Sequence, residues 1–175
     1  HQDGDEAWIK NAELVLNKAK FQIPLGIYEC PVPYKRLLTE KILNWCIRDG
    51  RFRFIKDTCC DPEMLTARLS QLKDSGIMLF NANAQTFLHS LEHGASGYSG
   101  IMANFHPDLL VWLHNYYDEE PEKAKLLSNI LSMAAFTENP AYPSTAKYYL
   151  DAMEGVAMEA ALYECFSAFC TVGLS

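Results

Sequence analysis

The feature that most narrows the fold is an alternation of periods. Short apolar runs of strand length at 23–28, 52–55, 77–80 and 97–102 are each followed by a segment with the 3.6-residue period of a helix. Those helical segments lie at 35–48, 61–74 and 84–93, and from Pro107 to residue 116. One more helix precedes them over 6–19, with Ala7, Ile9, Leu14, Val15 and Ala19 on one side and Asp5 as its cap. The punctuation agrees with this reading. Asp49-Gly50, Ser75-Gly76 and Gly94 close helices, while Asp61-Pro62-Glu63 opens one with a capping side chain, a first-turn proline and an acid near the positive helix end. Repeated rounds of strand then helix predict a parallel sheet with helical cover, an α/β fold. Two or three further helices fill the remainder, with breaks at Glu120-Pro121 and at 139–143.

Two architectures satisfy that pattern: an open doubly wound sheet and a (β/α)8 barrel. A dinucleotide-binding doubly wound sheet carries a glycine-rich phosphate turn after its first strand. Here Tyr28 is followed by Glu29-Cys30-Pro31-Val32-Pro33, and proline has no N–H to offer a pyrophosphate. The barrel is the expected fold.

Charge and cysteine usage exclude several functions. Fifteen Lys and Arg stand against twenty-two Asp and Glu, a net charge of −7, with no basic block to gather phosphates. Nucleic acid is not an expected partner. No apolar stretch approaches the roughly 20 residues of a membrane-spanning helix, so a soluble, cytoplasmic protein without a membrane partner is expected. Six cysteines (Cys30, Cys46, Cys59, Cys60, Cys165 and Cys170) sit in apolar patterns such as Asn44-Trp45-Cys46-Ile47, and no signal peptide opens the chain. Reduced thiols are therefore expected. The adjacent Cys59-Cys60 pair lacks zinc-site spacing, and His89 and His93 do not frame a glutamate in the H-E-x-x-H order. Gly97-Tyr98-Ser99-Gly100 is one residue short of a nucleophile elbow.

In parallel α/β folds, chemistry collects at the carboxyl ends of the strands. Those ends carry Tyr28, Lys56 with Asp57-Thr58, Asn81 with Asn83, and Ser99 with Gly100. Lys56 directly follows Phe54-Ile55. An ammonium among apolar neighbours is poorly solvated, which favours the neutral amine, and a neutral amine attacks a ketone to form a Schiff base. The protonated imine is an electron sink, so a carbon–carbon bond beside it is made or broken. Tyr28 is the matching proton relay. The plain alternatives are a lysine whose stem carries its charge into solvent and a core tyrosine with its hydroxyl at the rim. The residues by themselves leave both open.

The segments GIYECPVPYKR (26–36), FRFIKDTCCDPEML (52–65), NANAQTFLHSLEHGASGYSGIMANFHPDLL (81–110) and PSTAKYYL (143–150) resemble the dihydrodipicolinate synthase / N-acetylneuraminate lyase family. That resemblance implies a (β/α)8 barrel with extra C-terminal helices and a class I aldolase or lyase that binds pyruvate or a related 2-oxo acid as an imine. Lys56 matches the imine-forming lysine and Tyr28 the tyrosine that relays protons. Gly97, Tyr98, Ser99 and Gly100 fall where strand backbone lines the substrate pocket, and Asn81 and Asn83 where a turn meets the second substrate. No metal or organic cofactor is implied, since the lysine imine itself withdraws electrons. Family members are often dimers or tetramers, which makes a homo-oligomer the expectation.

Two departures bear on the substrate. Where dihydrodipicolinate synthases have an arginine for the second substrate's carboxylate, this chain has Pro33, with Lys35 and Arg36 the nearest cations. Ala82 stands where the family has Gly. Both favour another 2-oxo acid aldolase or dehydratase of the family, with dihydrodipicolinate synthase proper and a non-catalytic binding relative as the other readings. A complete barrel takes about 250 residues. Residues 1–116 match its second half, about the last four β/α units, and 117–175 its C-terminal helical extension. With no initiator Met ahead of His1, the chain is expected to be a processed or partial one.

Overall fold

The structure, a computed structural model, describes residues 4–18 and 23–155. Its sheet has four strands: β1 (Leu25–Tyr28), β2 (Phe52–Asp57), β3 (Met78–Asn81) and β4 (Gly97–Tyr98). Seven helices accompany them: α1 (Asp5–Lys18), α2 (Glu40–Asp49), α3 (Pro62–Leu72), α4 (Phe87–Glu92), α5 (Pro107–Tyr116), α6 (Pro121–Glu138) and α7 (Ser144–Glu154). All neighbouring strands are parallel and run in the order β1-β2-β3-β4. A doubly wound sheet reverses its strand order at a switch point; this one does not, which is the winding of a barrel arc.

Two buried cores form. Ile27, Ile55 and Leu79 lie side by side in register, and α2 and α3 cover that row with Ile42, Leu43, Cys46, Leu65, Leu69 and Leu72. Each fully buried aliphatic side chain contributes about 1.5–3 kcal/mol. The second core joins α4, α5 and α6 through Phe87, Leu91, Leu110, Leu113, Ala124 and Leu131. Between Leu25 and Gly26 the β1–β2 register shifts, leaving Arg53 as an extra residue. Such a bulge bends its strand and re-aims the side chains beyond it. It keeps Phe52 and Ile55 on the covered face although they are three apart, with Phe52 5.5 Å from the Trp45 ring.

Several boundaries differ from the sequence expectation. The helix expected over 35–48 starts at Glu40, because Thr39 adopts an extended backbone and its hydroxyl accepts the Ile42 N–H. The helix expected over 84–93 is shortened to Phe87–Glu92, since Asn83 Oδ1 accepts the Thr86 N–H in a turn before it. The last strand ends at Tyr98 rather than Met102 and passes into a 3-10 helix, Ile101–Asn104. In α1 the packed side is Trp8, Ile9, Ala12 and Leu16, while Leu14 and Val15 face outward; Ala19 lies outside the described residues. Asp5 begins that helix instead of capping it, and its carboxylate takes Arg36 and the Thr39 hydroxyl. Among the described residues no helix is long and apolar enough to cross a membrane.

Candidate active site

Strand register builds the site. Tyr28 pairs with Lys56, Lys56 with Phe80, and Phe80 with Gly97, so one lateral row crosses all four strands at their carboxyl ends. This row lies on the face that the helices do not cover. The next row toward the amino ends on that face holds Gly26, Phe54 and Met78, and Phe54 and Met78 are 43% and 46% exposed. Of the two apolar residues that precede Lys56, only Phe54 shares its face; Ile55 belongs to the covered core. The company Lys56 keeps is therefore set across the strands rather than along its own.

Its Nζ sits 4.3 Å from the centroid of the Tyr28 ring. The ring face attracts positive charge, worth about 0.5–1 kcal/mol at an exposed site, and it serves an ammonium or a protonated imine equally. Burial, and then the adjacent Cys30 thiol, push the Tyr28 phenol up to about 12. The hydroxyl is thus a neutral proton donor across the ordinary pH range. Between pH 10 and about 12 the folded protein still holds a proton that the unfolded chain releases, so stability falls as pH rises through that window. Absorbance titration of the protein against its Tyr28→Phe variant is expected to give a difference signal centred near 12. A difference centred at 10 would show a fully solvated phenol.

The other expected site residues divide between the two faces. Gly97 stands in the Lys56 row with φ of 155°, and a Cβ there would press on the Phe80 ring at 3.3 Å. Gly100 passes so close under the Ala82 carbonyl that a Cβ would lie 2.2 Å from its oxygen. Ser99 donates its N–H to the Asn81 carbonyl beside it. Tyr98, by contrast, turns to the helices, where its ring lies 5.0 Å from that of Phe87 and burial drives its phenol up. Asn81 is also on the covered face, fully buried, with its amide donating to Thr86 and Ser90. Side-chain alternation is the reason: a residue one step from a site row points away from it. Asn83 spends its carbonyl oxygen on Thr86 and its amide on Gln85. What Asn81 and Tyr98 bring to the strand ends is therefore backbone, while their side chains serve the core under the helices.

Of the two candidate cations, Lys35 reaches the strand ends, with Nζ 2.6 Å from the Thr58 carbonyl oxygen. Arg36 instead pairs with Asp5 of α1 at 2.9 Å. Two polar residues near the site, Glu29 and Arg68, escape a reading of the sequence; they are buried behind the Tyr28–Lys56 pair together with Asp57, which the sequence places at its strand end. A signal for them exists. Arg68 interrupts the apolar stripe Leu65, Leu69, Leu72 of α3, and an unmatched charge on a core-facing stripe demands a buried partner. Cys30, Cys46, Cys59 and Cys60 are free thiols, while Cys165 and Cys170 lie outside the described residues. Among the described residues no three His, Cys, Asp or Glu side chains gather as a metal site, and the His89 and His93 rings simply stack at 4.2 Å.

No family model matches the chain, and no curated protein does. Solved structures do. The chain is similar to 2-keto 3-deoxygluconate aldolase from Picrophilus torridus, with a TM-score of 0.73 and 20% identity over 99% of this chain and 61% of that one. A prophage protein of the dihydrodipicolinic acid synthase family from E. coli K12, solved in complex with pyruvate, gives 0.74 and 15% over 97% and 63%. Dihydrodipicolinate synthase from Thermotoga maritima gives 0.69 and 17% over 93% and 59%. The chain thus spans about three fifths of the length of these proteins. Four sequential parallel β/α units, the helices after them and these likenesses agree on the fold: the chain has the architecture of part of the (β/α)8 barrel that these structures share.

Proposed function

We propose that this chain carries the imine-forming half of a pyruvate-dependent class I aldolase or lyase. The observation behind the proposal is the Lys56 amine held over the Tyr28 ring at the carboxyl ends of adjacent strands. The neutral amine adds to the ketone carbon of a 2-oxo acid to give a carbinolamine. Tyr28 hands its proton to the departing hydroxyl, water leaves, and a protonated imine remains. In cleavage the bond to the partner breaks and its electron pair enters the imine to give an enamine. The partner's hydroxyl releases its proton to the Tyr28 phenolate as the aldehyde forms. Condensation runs the same steps in reverse, with the enamine made by loss of a proton from the neighbouring carbon. The backbone at Gly97, Ser99 and Gly100 is the proposed wall beside the pyruvyl group. Lys35 is the proposed cation for an acid group on the partner, in place of the arginine that Pro33 replaces. This reading places the reaction with a partner other than the second substrate of dihydrodipicolinate synthesis.

The open face asks for completion. Phe54 and Met78 stand exposed on it, and β1 and β4 each present an unpaired edge among the described residues. Further β/α units are proposed to close the barrel over Lys56 and to bring the groups that hold the 2-oxo acid carboxylate. Residues 1–175 expressed alone are accordingly expected to self-associate in size-exclusion chromatography with light scattering. A monodisperse, folded monomer would refute the completion.

Treatment of the complete protein with pyruvate and borohydride tests the chemistry. Reduction of the imine is expected to leave a stable mass increment on the peptide containing Lys56. An intact protein with no adduct at that residue would reject the proposed function.

A further inference from the structure

Directly behind the Tyr28–Lys56 pair lies a buried ion cluster that the imine chemistry does not use. Glu29 and Asp57 each come one residue after a member of the pair, and they are 2% and 0% exposed; Arg68 of α3 is 4% exposed. The Arg68 guanidinium donates through Nη1 to Glu29 Oε2 at 3.0 Å and to Asp57 Oδ2. Through Nη2 it donates to Glu29 Oε1 at 2.8 Å and to the Leu38 carbonyl at 2.7 Å. Glu29 also accepts the Leu38 and Thr58 N–H groups, and its own carbonyl takes the Thr58 hydroxyl at 2.7 Å. Asp57 accepts the Cys59 N–H at 2.9 Å. One guanidinium therefore ties together the ends of β1 and β2, helix α3 and the segment that leads into α2.

Stability alone is a weak reason for such a cluster, since well-packed apolar side chains hold a core as well or better. Its geometry supplies a better one. The guanidinium is a rigid planar fork that accepts its partners only in fixed positions. In a strand, consecutive side chains point to opposite faces, so locking Glu29 and Asp57 behind the sheet fixes the rotation and height of Tyr28 and Lys56 in front of it. We propose that Glu29, Arg68 and Asp57 form a positioning unit that sets the Lys56 amine against the Tyr28 hydroxyl for imine formation. The proposal rests on the function given above and identifies what holds that pair in place.

The test measures the rate of pyruvate adduct formation at Lys56 in the complete protein by borohydride trapping. Two variants are compared with the parent: Arg68→Lys, and the combined Glu29→Gln, Arg68→Met and Asp57→Asn, which leaves no buried charge unpaired. Each is made with and without Tyr28→Phe. The combined variant is expected to trap about 10²-fold more slowly, the scale of a misplacement of ~1 Å, with the pyruvate concentration for half-maximal trapping unchanged. In the Tyr28→Phe background that loss is expected to shrink to less than about twofold, because the pair being positioned is already broken. Arg68→Lys, able to satisfy one carboxylate but not both, is expected to fall between, and it carries the same comparison if the combined variant does not fold.

Trapping at the parent rate in both variants would overturn the positioning role and leave the lysine chemistry standing. So would an equal loss with and without Tyr28→Phe, which is the mark of a purely structural cluster. Absence of any adduct in the parent would remove the lysine chemistry and this role with it.

Discussion

Lys56→Arg is expected to abolish the borohydride-trapped pyruvate adduct and to lower turnover on the order of 10⁵-fold or more, the scale set by removing a covalent nucleophile. Arginine keeps the charge and much of the stem but is never deprotonated in a protein, so it has no lone pair to give a ketone. The fold should barely respond. The side chain stands half-buried on the uncovered face at a strand end, where substitutions shift stability by about 0.5 kcal/mol. Unchanged circular dichroism and an unchanged unfolding midpoint would show that the lost adduct is chemical in origin. Lys35 provides an internal control, being the other amine brought to these strand ends. If the adduct in the parent protein maps to Lys35, or survives Lys56→Arg, the nucleophile has been assigned to the wrong residue.

Arg68→Met is expected to cost about 3–5 kcal/mol, because it leaves two buried carboxylates facing each other without their cation. Urea unfolding reads this directly as a lower midpoint at unchanged slope. The combined neutral variant (Glu29→Gln, Arg68→Met, Asp57→Asn) is expected to lose less than Arg68→Met alone, since no charge is then buried alone and the remaining cost is one acceptor oxygen withdrawn from the Leu38 and Thr58 N–H groups. A single substitution that unfolds no earlier than the parent would mean that water reaches the carboxylates. The contrast between the two variants separates the energetic cost of a broken cluster from its geometric use.

The architecture is largely legible in the chain. Apolar runs alternating with amphipathic stretches predict parallel strands under helices, and the observed order β1-β2-β3-β4 agrees. Pro107, Pro121 and the Asp61-Pro62 start mark their helices correctly because a proline at the first turn removes an N–H that has no partner anyway. The start of α2 lies five residues beyond the expected one, since Leu38 continues the helical period while the Thr39 cap decides where the hydrogen bonds begin. In α1 the side that carries Leu14 and Val15 faces outward, because Trp8 finds Trp45 at 5.8 Å and turns the helix toward that contact. Periodicity reports that a helix has an apolar side; it does not say which neighbour is there to receive it.

For the candidate site, sequence alone puts Tyr28 and Lys56 at strand ends, and their shared position after consecutive strands is a consequence of the βα repeat. Only the tertiary structure sets the amine over the phenol ring, since that depends on the register between two strands and on the bulge at Arg53. It also sends Asn81 and Tyr98 to the helices and gathers Glu29, Asp57 and Arg68 from separate elements. A sequence carries local preference and period, which act over a few residues. Which face a side chain occupies, and what it meets there, is decided by hydrogen-bond register between strands far apart in the chain.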